Sequence, residues 1–199
     1  NPAPASKLKF SSKPPASVTA GAIWPSFAVF ISDPYGNAIG TGTNTITLSE
    51  DGTGSFSGTV SKEVVNGIAT FGDISYPQVG TINVTASSTG LTSTPAFAVV
   101  VKPGSVNDLK VTTTTGINAL TLQASGGANI IITAYDINGN VATGYAGVKS
   151  LIFSGPTPSP ENYLPRVNAT AMGVARTVNF ANGVSSDALS LTIYNVGTA

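Results

Sequence analysis

Residues 27–40 read "FAVFISDPYGNAIG", and a hundred residues later 130–144 read "IIITAYDINGNVATG". In the first run Phe27, Val29 and Ile31 alternate with Ala28, Phe30 and Ser32. In the second, Ile130, Ile132 and Ala134 hold the matching places. A period of two puts each set on one face of a half-buried β-strand. Each run then reaches an aspartate, Asp33 or Asp136, two further residues, and Gly-Asn. A strand-end aspartate can accept bonds from the backbone N–H groups just ahead of it. Gly or Asn adopts the positive φ that a tight return needs. The two stretches therefore predict the same strand and turn, made twice.

Asp136, Asn138 and Asn140 also alternate like the first ligands of a calcium loop. Such a loop needs a bidentate acid at position twelve, and counting from Asp136 that position is Gly147. The earlier copy has Tyr35 in place of Asn138. The turn is the expected reading and no cofactor is expected. Calcium at Asp136, Asn138 and Asn140 is the weaker alternative.

Other pairs recur in the same order. "KLKF" (7–10) answers "DLKV" (108–111), "TITLS" (45–49) answers "SLIFS" (150–154), "VVNGIATF" (64–71) answers "FANGVSSD" (180–187), and "YPQVGT" (76–81) answers "YNVGT" (194–198). The chain is thus read as a tandem repeat. Residues 1–5 form a linker or N-terminal extension, 6–102 a first domain, 103–105 a linker and 106–199 a second domain. Short β-branched or aromatic runs bounded by Gly, Pro, Asn or Asp predict an all-β fold of two tandem antiparallel sandwiches.

The repeat resembles the bacterial immunoglobulin-like domains found in tandem on invasin- and intimin-type adhesins. The residues that carry the resemblance are "V-x-I-x-D-x-x-G-N" (29–37), "NGIATF" (66–71) and "G-x-x-x-V-T-A" (80–86). It covers 6–102 closely and 106–199 less well. It implies a two-sheet sandwich in a surface or secreted setting, and it does not imply catalysis.

Composition narrows the chemistry. The 199 residues include no Cys and no His, which removes thiolate sites, disulfides and the commonest general base. Nine basic and nine acidic residues cancel, so no nucleic-acid partner is expected. No apolar run approaches the roughly 18 residues of a membrane span, so no direct membrane insertion is expected. Charged residues make up 9% of the chain, against about 25% in ordinary domains. A Ser/Thr-rich extracellular surface accounts for this; so does a surface that packs against copies of itself. The adjacent acids Glu50 and Asp51 lie in a predicted turn, "SEDGTG", where they face solvent rather than each other across a cleft. The chain is not expected to be an enzyme.

The second copy differs in two ways. After "GT" at 80–81 the first copy continues through two more strands, whereas "GT" at 197–198 is followed by Ala199. The second sandwich is thus expected to lack its last strands within this chain. Three readings stay open: residues beyond Ala199 in a longer polypeptide, a diverged domain that closes differently, or a strand donated by a neighbouring subunit. For donation, "NPAPASKLKF" (1–10) is the candidate segment. The second difference is an inserted loop at 155–176 with prolines at 156, 158, 160 and 165, expected to be extended and exposed.

That loop carries Tyr163, Arg166 and Arg176, which with Trp24 are the interaction candidates; for Trp24, capping the end of the hydrophobic core is the competing expectation. Sequons mark Asn83 and Asn168 as glycosylation candidates. The expected function is a non-catalytic structural module of an extracellular cell-surface or secreted protein: a stalk, adhesin, surface-layer or filament subunit. Its expected partners are copies of itself or adjoining domains of its kind, with surface glycans as a further class. The alternative is an accessory carbohydrate-binding or spacer module of a secreted polysaccharide-degrading enzyme, binding through Trp24 or Tyr163.

Overall fold

A computed structural model describes residues 3–116, 121–122, 126–194 and 197–198. Among them there is no helix; the protein is all-β. The chain separates into two compact units, Asn1–Gly104 and Ser105–Ala199.

The first unit contains β1 (Lys7–Ser12), β2 (Ser17–Thr19), β3 (Phe27–Ser32), β4 (Thr45–Ser49), β5 (Ser61–Glu63), β6 (Ile68–Phe71), β7 (Gly80–Ser87) and β8 (Phe97–Lys102). They form two sheets, β1-β3-β6 and β2-β8-β7-β4-β5. All pairs are antiparallel except β2 with β8, which run parallel with Ser17 opposite Val100. The alternation read from the sequence is the alternation of burial. Phe27, Val29 and Ile31 are buried from one sheet, while Ile46, Leu48, Ile82, Val84, Ala86, Val99 and Val101 are buried from the other. These side chains make one core cluster between the sheets, an immunoglobulin-like sandwich. Each large apolar side chain so sealed contributes roughly 1.5–3 kcal/mol.

The second unit contains β9 (Asp108–Thr113), β10 (Thr121–Leu122), β11 (Gly127–Tyr135), β12 (Gly147–Ile152), β13 (Arg166–Val167), β14 (Thr170–Ala171), β15 (Ala175–Ala181), β16 (Val184–Ser185), β17 (Leu189–Thr192) and β18 (Gly197–Thr198). One sheet runs β12-β15-β16-β11-β17-β13-β14, with β9 also on β11, and β10 pairs with β18 separately. Strand β6 of the first unit has two successors here. Thr133 faces Val184 and Ile130 faces Leu189, so the register slips between them. Across the slip the Ile132 amide donates to the Ser185 hydroxyl at 2.9 Å, which satisfies a group the ladder would otherwise leave bare.

The inserted loop corrects one expectation. Residues 155–176 are not an extended, exposed excursion throughout. Their second half folds into the β13–β14 hairpin, which joins the sheet beside β17 with Arg166 opposite Thr192 and Val167 opposite Leu191. Val167 is buried with Ile193 and Leu191 in the core. The physical reason is the edge of β17: an unpaired apolar strand is stabilised by any segment that supplies backbone partners and an inward side chain.

Candidate interaction surface

The two aspartate turns share one set of bonds. The Asp33 amide donates to the Asn37 carbonyl at 3.0 Å, and the Asp136 amide to the Asn140 carbonyl at 2.8 Å. Asp33 Oδ1 accepts the amides of Tyr35 and Asn37, each at 2.9 Å, and Asp136 Oδ1 accepts those of Asn138 and Asn140, each at 2.9 Å. The Asn37 side chain donates to Asp33 Oδ2 at 2.8 Å, and that of Asn140 to Asp136 Oδ2 at 3.0 Å. Gly36 and Gly139 take φ of 94° and 81°, which close the returns. The carboxylates thus bind the turns' own N–H groups. Among the described residues no group of three or more acidic, His or Cys side chains gathers at a metal-ligating spacing.

Burial alone would raise the Asp33 carboxyl. Hydrogen bonds from the Asn37 side chain and amide, and from the Ala3 and Tyr35 amides, outweigh it and hold the pKa at about 2, below its ordinary 3.8. A depressed folded-state pKa stabilises the fold above the unfolded value, and that stabilisation is lost as pH falls through the folded one. The first unit is therefore expected to melt at progressively lower temperature as pH drops from 3.8 towards 2, with a flatter profile in Asp33→Asn. Calorimetry across that range checks it, and an unchanged slope in the variant would count against the assignment.

A second feature locks each turn to the sheet. Asn66-Gly67 and Asn182-Gly183 both sit at positive φ, as two-residue hairpins require. The Gly67 carbonyl accepts the Ile31 amide at 3.0 Å while the Ile31 carbonyl accepts the Ile39 amide at 2.9 Å. Gly183, Ala134 and Ala142 repeat the pattern at 2.7 and 2.9 Å.

The units part company at one sheet edge. In the first, β4 lies between β5 and β7, with Thr47 opposite Ser87 and Ser49 opposite Thr85. Ile46 and Leu48 are consequently sealed, at 0% and 4% exposure. In the second, β12 pairs with β15, and no described residue pairs with its other edge. The matching side chains, Leu151 and Phe153, pack on the core but stay half-buried. Val148 and Ile152, on the strand's opposite face, are exposed.

Of the candidates in the inserted loop, Tyr163 is exposed and its ring centroid lies 5.7 Å from that of Tyr194. Arg166 and Arg176 turn back onto the loop. Their guanidinium groups donate to the carbonyls of Ala169 at 2.9 Å and Val167 at 3.2 Å. Asn168 bridges the hairpin to β17, donating through Nδ2 to the Ala188 carbonyl at 3.0 Å and accepting the Ser190 amide at 2.7 Å. Asn83 points outward from β7 and donates through Nδ2 to Asp51 at 2.8 Å.

Trp24 requires a correction. It is only 2% exposed, edge-on to Phe56 at 5.4 Å and 6.3 Å from Phe27, so it offers no platform to a ligand. Residues 3–10 of the donor candidate are likewise occupied within their own unit. The Ala3 amide donates to Asp33 at 3.1 Å, the Ser6 amide to Ser32 at 2.9 Å, and β1 carries the buried Leu8. Sequence reading missed Tyr194, whose repeat counterpart Tyr76 is a core residue at 1% exposure. The signal was indirect: at this point the second copy reads "YNVGT" where the first reads "YPQVGT".

No protein-family model matches the chain, and no curated protein matches its sequence. Among solved structures it is similar to the Yersinia pseudotuberculosis adhesin InvE, at 16% identity and a TM-score of 0.44, over 96% of this chain and 53% of that one. It is similar to the Escherichia coli adhesin FdeC at 20% identity and 0.46, over 97% and 57%. Domains 5–6 of the surface-layer protein SbsC match at 17% identity and 0.38, over 99% and 100%. The chain spans a little over half the length of the two adhesin chains.

Proposed function

We propose that this chain is a non-catalytic structural module of an extracellular cell-surface protein, of the stalk, adhesin, surface-layer or filament kind. It acts by rigid presentation and self-association, and the second edge of β12 is where a further strand adds. The observation that carries the reading is the contrast between the repeats: Ile46 and Leu48 are sealed in a strand flanked on both edges by β5 and β7, whereas Leu151 and Phe153, beside an open edge, remain half-buried. The first unit supplies the template for the strand that would cover them, "GTINVTAS" (80–87), with Ile82, Val84 and Ala86 inward. Backbone bonds would supply affinity, and alternate side chains would supply specificity. The donor candidate 1–10 is disfavoured, since its residues from Ser6 onward pair within their own unit.

Sedimentation velocity of the full chain tests the self-association, and melting in the presence of the synthetic peptide GTINVTAS tests the strand addition. Association is expected to grow with concentration and to weaken in Val148→Lys/Ile152→Lys, because charge at an open edge opposes pairing. The peptide is expected to raise the second unit's melting temperature by mass action. A monomer at every concentration overturns self-association. An unshifted melt in excess peptide overturns strand addition at β12.

A further inference from the structure

The first half of the inserted loop, which does not join the sheet, is nevertheless held in one conformation. The Ser159 amide donates to the Tyr163 carbonyl at 3.1 Å, and the Asn162 amide donates to the Ser159 carbonyl at 2.8 Å. The Tyr163 amide returns to the Ser159 hydroxyl oxygen at 3.1 Å. Asn162 takes the left-handed φ of 68° that closes the turn, a conformation Asn tolerates better than most residues. Three hydrogen bonds across five residues make this a preorganised turn rather than a loose tip.

Its far end presents Tyr163, 58% exposed, against the half-buried Tyr194. With Ser159, Pro160 and Glu161 the two rings line an open cleft of about 430 Å³. The ring planes differ by 38°. Glu161 makes no ion pair among the described residues. In the first unit the same repeat position, Tyr76, is spent on the core, where its hydroxyl accepts the Gly54 amide at 2.7 Å. The second unit has moved this tyrosine out of the interior and placed it against the inserted turn.

We propose that this cleft binds a saccharide. An apolar ring beside a hydroxyl and an unpaired carboxylate suits a ligand with one C–H face and a rim of hydroxyl groups. Glu161 accepts bonds from sugar hydroxyls. The Ser159 hydroxyl, which accepts from the Tyr163 amide, keeps its own proton to donate. A quaternary ammonium is the competing ligand, since two tyrosines and a carboxylate also attract cations. Enclosing one takes ring faces that converge from different sides. Of the two rings only Tyr163 is exposed, and one exposed ring is a platform for a pyranose rather than a cage around a cation.

The experiment is titration of the full chain with soluble cello- and chito-oligosaccharides and, separately, with a trimethyl-lysine peptide, followed by calorimetry. Saturable oligosaccharide binding is expected, weakened about tenfold in Tyr163→Ala, the loss of roughly one stacking contact. Glu161→Gln, at an exposed position, is expected to weaken it by less while leaving the melting curve unchanged. That second variant keeps the test sound if Tyr163→Ala disturbs the hairpin. Absence of binding to either sugar series, binding unaffected by both substitutions, or saturable binding of the trimethyl-lysine peptide alone would each overturn the proposal. Because the cleft lies in the turn and the strand-accepting edge is on β12, either site can fail without the other.

Discussion

Trp24→Ala is expected to lower the unfolding free energy of the first unit by about 3–5 kcal/mol, the range for deleting a large aromatic from a core that cannot collapse around the gap. The indole fills the end of the sandwich, in contact with Phe27 and Phe56, and Phe56 in turn meets Tyr76 edge-on at 6.0 Å. Phe27 stacks on Phe71 at 5.6 Å, so removing the indole loosens a chain of four further rings. One detail tempers a milder substitution. The indole Nε1 is buried and has no hydrogen-bond partner among the described residues, and an unmet buried donor costs about 1–3 kcal/mol. Trp24→Phe deletes that donor along with some volume, and is expected to lose far less stability than Trp24→Ala. Denaturant unfolding followed by circular dichroism measures both. If the two variants lose equal stability, packing at this position is not what the indole supplies.

Gly67→Ala is the second large effect, about 3 kcal/mol or more, and it arises from backbone rather than core. A Cβ on Gly67 would run into the Ile39 carbonyl oxygen, and the residue sits at φ 73°. Positive φ alone costs an L-residue about 1–2 kcal/mol. The remainder is the collision, which pushes away the loop that Ile39 anchors to Ile31. Gly90→Ala is the control, because Gly90 has φ 79° with nothing within 4 Å of an added Cβ. It should show the conformational cost without the clash. Gly183→Ala should fall between them, since its nearest contacts, Ala142 O and Val141 Cγ1, stand at 2.8 Å. Equal losses in Gly67→Ala and Gly90→Ala would mean that the Ile39 loop yields freely and the close approach carries no energy.

These predictions mark where sequence reading was strong. Asp33, Gly36 and Asn37 bond to one another within five residues, so the turn is written locally, and so is the alternation of Phe27, Val29 and Ile31. Trp24 was harder. Its edge-on partner Phe56 lies 32 residues away, so nothing local to Trp24 announces the contact that buries it. The hairpin at 166–171 was hidden for a similar reason. Proline-rich flanks describe a loop correctly as far as local conformation goes, but nothing local announces that Val167 will face Leu191. Tyr194 was masked by its own kinship, because the repeat assigned it the interior position that only Tyr76 takes.

The parallel pairing of β2 with β8 also has a mechanical consequence. Ser17, Val18 and Thr19 face Val100, Val101 and Lys102 with both strands pointing the same way, one near the start of the unit and one at its close. Tension applied between those ends slides the two strands past each other, so the bonds between them share the load and must rupture together. In the second unit β10 and β18 are antiparallel, with Thr121 opposite Thr198. Pulled from Thr121 and Thr198, that pair would open one rung at a time. Parallel end strands hold like a seam loaded along its length, and an antiparallel pair opens like a zipper.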